Sequence, residues 1–171
     1  GSHLQAGAVL RNMYYKDEIK DKDRIVTGWG ASLSGIWQFA KNTSLCFQGV
    51  YGKGVSNYIQ DISGAGLDLV PSTTAEGKLK AFCAWGGYLG FAHNWCETLS
   101  SNIMYSYARV LDQYGMPATS YKYAQYAAAN LFWNFSEYGS CAIEYVFGRR
   151  NDFNKDYGNA SRINTMIQYR F

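Results

Sequence analysis

The chain has no run of roughly 18 apolar residues, the length a helix needs to cross a bilayer, so a helical membrane span is excluded. A spanning β-barrel is not excluded. Its strands hide their hydrophobicity in alternation, and the mean hydropathy of -0.27 is compatible with that. Charge of either sign is sparse: 17% of residues are charged, and the net charge of +3 comes from 16 basic and 13 acidic residues scattered along the chain. With no basic cluster for aromatic rings to interleave, no nucleic-acid partner is expected. Cys46, Cys83, Cys96 and Cys141 include no C-x-x-C pair, so no metal site is expected. On the strand map below no two of them share a height on adjacent strands, which leaves four reduced thiols. Gly52 and Gly54 are not followed by Gly-Lys-Ser/Thr, so they make no phosphate loop and are expected to bend the strand. The opening Gly1, Ser2 and His3 reads as an expression scar outside the fold, with residues 4–171 forming a single domain. The one other histidine, His93, is assigned to a short solvated turn near Asn94 and Glu97. Ser100 beside it is too weak a nucleophile candidate for hydrolase chemistry. No enzymatic activity and no cofactor are expected.

What the chain has in quantity is aromatic residues and glycine: 17% aromatic, with 15 tyrosines, and 18 glycines against two prolines. Aromatic rings suit pleated surfaces and glycines mark bends or close approach, so the composition indicates β structure. Period-two alternation gives eight strands, Leu4–Tyr15, Arg24–Ala40, Ser44–Val55, Leu79–Ala92, Cys96–Leu111, Lys122–Phe135, Gly139–Arg150 and Gly158–Phe171. Many exceed the ordinary strand of about 5–6 residues and reach the 9 to 11 that a bilayer requires.

The connections alternate in length. KNT, HNW and SEY are tight turns, whereas KDEIKDKD, residues 56–78, DQYGMPATSY and NDFNKDY are long and polar. Short turns on one side and long loops on the other are the layout of an outer-membrane barrel, with both termini on the periplasmic side. The faces agree. Ile163, Thr165, Ile167, Tyr169 and Phe171 share one side of the last strand, opposite Arg162, Asn164, Met166, Gln168 and Arg170. A soluble barrel or sandwich would turn the apolar side inward. Against it, the polar side consists largely of Gly, Ser, Ala and Asn rather than the Lys and Glu of a solvated strand. Trp37, Phe39, Phe91, Trp95, Trp133 and Phe135 also gather at the short-turn ends, as an aromatic girdle at a single interface would.

Phe171, Tyr169 and Ile167 resemble the terminal signal by which bacterial outer-membrane proteins are delivered to their insertion machinery. The stretches TGWGASLSG, GVYGKGVSNYIQD, AWGGYLGFAHNW, YKYAQYAAANLFWN, EYVFGRRND and GNASRINTMIQYRF, in this order, resemble the C-terminal half of DcaP-type trimeric porins of Gram-negative bacteria. That resemblance implies an outer-membrane location, a sixteen-stranded parent, trimeric assembly and passage of small anionic solutes. The chain has room for eight strands. The expected fold is therefore an all-β, eight-stranded antiparallel up-and-down transmembrane barrel, either half of a sixteen-stranded porin or a miniature closed version. A closed eight-stranded barrel has an interior just wide enough for side chains and conducts poorly.

Arg11, Glu144, Arg162 and Arg170 are assigned to the lumen, with Lys53, as an anion path or as ion pairs in the wall, and Glu144 is expected to meet Arg162. The small inward residues Gly30, Ser32, Ser34, Gly86, Gly90 and Asn130 suggest a loosely filled, hydrated interior. The loop 56–78 is long enough to be functional, folding inward to narrow a pore or packing over a neighbour. Expected partners are a lipid bilayer or detergent, the insertion machinery, small anionic solutes and a second copy. The expected function is porin-type passive diffusion. A non-conducting structural or adhesion barrel and a soluble ligand-binding barrel are the alternatives.

Overall fold

The computed structural model describes residues 1–72, 76–111 and 115–171, so residues 73–75 and 112–114 of two predicted loops lie outside the described residues. Among the described residues the chain is all-β apart from two single-turn 3-10 helices, Ser56–Tyr58 and Gln60–Ile62. Eight long strands form one antiparallel meander: β1 (His3–Asp17), β2 (Lys22–Ala40), β3 (Thr43–Lys53), β6 (Cys83–Asn94), β7 (Leu99–Val110), β8 (Tyr121–Asn134), β9 (Gly139–Asp152) and β10 (Tyr157–Tyr169), paired in that order. Two three-residue strands, β4 (Leu69–Pro71) and β5 (Leu79–Ala81), make a separate ribbon inside the loop between β3 and β6.

The sheet is open. β1 and β10 are its edges, and among the described residues no ladder joins them, so the sheet is not closed on itself. His3 pairs with Ile36, and the Ser2 hydroxyl accepts from the Gln38 amide, so the residues read as a scar continue the first strand.

The predicted strands are recovered with three adjustments. The hairpins at the long-loop end run further than polarity suggested. Asp17 pairs with Lys22, so KDEIKDKD shrinks to a turn at 18–21, with Asp21 at φ +48°. The strand expected to begin at Leu79 breaks at Phe82, whose amide donates to the Asp68 carbonyl and whose carbonyl accepts from Gly54. The strand expected from Cys96 begins at Leu99, which leaves Cys96 in the turn. All four cysteines are free thiols.

Candidate functional site

Cross-strand pairing assigns each side chain of the eight long strands to one of two faces. On the first lie Leu10, Leu33, Leu89, Ile103, Ile143 and Ile163, all exposed, with Ile103 62% and Ile163 68% accessible. A water-soluble protein buries such residues, and this one presents them as a continuous outer surface. The predicted girdle residues lie on that face as a chain of rings. Trp37 and Phe39 have centroids 5.7 Å apart, Phe39 and Phe91 6.0 Å, and Trp133 and Phe135 5.9 Å. His93 belongs to this belt rather than to a solvated turn. Its ring lies 4.6 Å from Trp95, and its Nδ1 shares a 2.8 Å hydrogen bond with the Thr43 hydroxyl. Ser100 points to the opposite face, since it is Ser101 that pairs with His93.

A second belt, not foreseen, crosses the same face nearer the long loops. Trp29 meets Tyr51 at 5.8 Å, Trp85 meets Tyr107 at 5.1 Å, and Tyr107 stacks on Tyr123 at 5.5 Å. The two belts are ten residues apart on three strands: Trp29 and Phe39 on β2, Trp85 at the start of β6 and Trp95 just past its end, Tyr123 and Trp133 on β8. Ten residues of strand span about 33 Å, and a tilt of about 40° reduces that to about 25 Å, the height of the apolar band of an outer-membrane barrel. That ten-residue repeat was readable in the sequence.

The other face is small and polar, and it carries the loop. Gly54, at φ +68°, turns the chain off the end of β3 toward this face. Val55 then seats on Gly30, where an added Cβ would stand 2.8 Å from its Cγ1, and Ile59 seats on Gly86 at the same distance from Cγ2. Ile59, Ile62, Leu67 and Val70 of the loop pack with Phe82, Ala84, Ala108, Val110 and Tyr121 into a buried apolar cluster. Gly30 and Gly86 are thus small because the Val55 and Ile59 side chains of the loop rest on them, and not because the interior is loosely filled. Asp68 ties the loop to the wall. Its Oδ2 accepts from Arg11 Nη1 at 2.8 Å and from Asn57 Nδ2 at 2.9 Å, while its Oδ1 accepts from the Ser56 hydroxyl at 2.7 Å. Between this loop and the inner faces of β8, β9 and β10 lies an open cleft of about 920 Å³, bordered by Asp61, Tyr126, Arg150 and Ala160.

The predicted lumen residues divide. Arg11 faces inward but is an ion-pair partner of Asp68 and a wall anchor, also donating to the Gly54 carbonyl. Glu144 faces inward and accepts from Asn164 at 2.9 Å and Asn130 at 3.5 Å, with Asn130 in turn accepting from Asn102. The expected meeting with Arg162 does not occur, because register sets Asn164 opposite Glu144 and Arg162 opposite Val146. Arg162 shares the inner parity, and Arg170 lies just past β10 with its amide bonded to the Tyr138 carbonyl. Lys53 is corrected to the outer face, opposite Trp29 and beside Tyr51. Phe171, Tyr169 and Ile167 are fully or largely exposed at the short-turn end.

No protein-family model and no curated protein matches the chain. Among solved structures, the outer membrane channel DcaP of Acinetobacter baumannii is similar in fold. The TM-score is 0.75 at 20% identity over 98% of this chain. The match takes in 47% of that channel, so the chain spans about half its length. The likeness is one of fold: a porin-like antiparallel sheet, with its long strands, short turns and long loops.

Proposed function

We propose that this chain forms half the wall of a wide outer-membrane β-barrel channel, through which small polar solutes diffuse passively past the loop that narrows the lumen. The observation that carries the reading is the division of the two faces. The apolar face is exposed between aromatic belts at bilayer spacing, and the small, polar face is the one that holds the loop. A soluble ligand-binding barrel has the reverse arrangement. The likeness in fold to an outer membrane channel agrees with it.

In this reading the short turns and both termini face the periplasm. The exposed Phe171, Tyr169 and Ile167 serve as the signal for insertion. Of the predicted lumen cations, Arg162 and Arg170, which make no ion pair among the described residues, are left to attract anions, while Arg11 is neutralised by Asp68. The chain acts as a channel and not as an enzyme. Planar-bilayer conductance of the detergent-refolded protein tests the proposal. Stable steps with modest anion preference are expected. A protein that stays monodisperse in water without detergent would overturn it.

A further inference from the structure

We infer that the missing half of the wall is a second copy of this chain: β1 of each copy pairs with β10 of the other, and two eight-stranded sheets close one sixteen-stranded pore about a two-fold axis. The inference rests on the half-wall reading and names the partner that completes it.

Self-closure is the first competitor, and the inner face argues against it. Eight strands enclose a space that side chains alone fill. Here the inner face holds a folded loop, with two 3-10 turns and the β4–β5 ribbon, whose Val55 and Ile59 side chains seat on Gly30 and Gly86. The loop stands away from β9 and β10 across the 920 Å³ cleft, so the wall is not wrapped tightly around it. A circumference of about sixteen strands accommodates both loop and cleft.

The edges themselves fit a copy. An eight-stranded meander begins and ends on strands of opposite direction, so β1 can pair antiparallel with another copy's β10 without any crossover. The two edges are of similar length, 15 and 13 residues. Neither contains proline, and from His3 to Tyr15 and across β10 each carries a single Lys/Arg/Asp/Glu residue, Arg11 and Arg162, both facing inward. Soluble proteins blunt free edges with lysine, proline or bulges, and these edges are unblunted. Their outer residues, including Leu4, Leu10, Ile163 and Ile167, continue the apolar band across the seam. Within a bilayer an unpaired edge finds no water, so both must be paired. Two copies also supply the length of one channel of the similar kind, since one covers 47% of it. A two-fold axis repeats this one pairing at both seams, β1 to β10 and β10 to β1, and the ring closes.

The test uses the full chain refolded in detergent. Light-scattering mass of the unmodified protein is expected to be that of two copies. In a background with the four native cysteines replaced by serine, Ala8→Cys protein is mixed with Ser161→Cys protein before refolding; both positions face outward on the edges. Oxidation or a short bis-maleimide is expected to give a mixed covalent dimer. A single-copy mass, or a doubly substituted chain that links only within itself, overturns the inference whether or not current flows. A silent dimer would leave this inference standing and count against the channel reading instead.

Discussion

Replacing Leu89 by arginine separates a lipid-facing wall from a water-facing one by energy. Leu89 lies on β6 between Trp85 and Trp95, pairs with Phe47 and Tyr105, and is 53% exposed on the apolar face. Its place four residues from one belt and six from the other puts it near the middle of the apolar band. An arginine at the midplane of an outer-membrane barrel costs about 2–4 kcal/mol, falling to about 0–1 kcal/mol at the interface. On a face bathed in water the same change is a surface substitution, within about 0.5 kcal/mol. Ser106 supplies the control. It pairs with Tyr88, almost level with Leu89 but on the inner face. The assay is reversible urea unfolding from lipid vesicles. Leu89→Arg is expected to lower the folding equilibrium by roughly 30- to 700-fold, Ser106→Arg by less than about 5-fold, following the same scale. Trp95→Arg, at the belt, should fall between them. Indistinguishable stabilities for Leu89→Arg and Ser106→Arg would refute the assignment of faces.

Three further outcomes follow from particular contacts. Gly86→Val places new atoms against Ile59, so the loop must lift or the wall must shift, at a cost of about 1–3 kcal/mol; protease cleavage within residues 56–72 and pore conductance should both rise, and unchanged values of both would reject the seat. The Arg24 guanidinium, bonded at 2.7 Å, holds the Asp17 carboxyl below its ordinary pKa at the β1–β2 hairpin tip. A depressed folded-state pKa means that this contribution is complete above the ordinary carboxylate pKa of about 4 and is lost as pH falls through the lower folded value. Hydrogen exchange at the 18–21 turn should therefore accelerate with acid in the native chain beyond its intrinsic rate, and Asp17→Asn should remove that pH dependence; a turn equally protected at pH 2 and pH 6 speaks against it. Deleting Phe171, which packs on nothing here, should slow membrane assembly while leaving the unfolding midpoint of the assembled protein within about 0.5 kcal/mol; assembly at the native rate would dismiss the terminal-signal role.

The site was partly legible in the residues. The girdle aromatics declared themselves by position before each short turn, and the structure puts them in ring contact. Lys53 shares parity with Tyr51, so its outward direction follows from alternation alone, and its assignment to the lumen disregarded that count. The Glu144 partner was not legible, because a cross-strand neighbour depends on register. Moving the β9–β10 pairing by two residues would bring Arg162 opposite Glu144, and the turn at 153–156 brings Asn164 there instead. Asp68 gave no sign of its role. Its three partners, Arg11, Ser56 and Asn57, converge only after the chain has turned at Gly54.

Alternation along the chain determined the strands, their two faces and the order of short turns and long loops, because those depend on neighbours two residues apart and on local turn chemistry. Period two has no preferred side, however. It separates an apolar from a polar face without saying which is enclosed, and it cannot count how far a sheet must curve before its edges meet. Those were decided in three dimensions by the packing of one loop. Seated on Gly30 and Gly86, it occupies the polar face and leaves the apolar face outside. The same packing brings loop side chains onto the face that a closed eight-stranded barrel would fill with strand side chains alone, and β1 and β10 stand unpaired at the edges of the sheet.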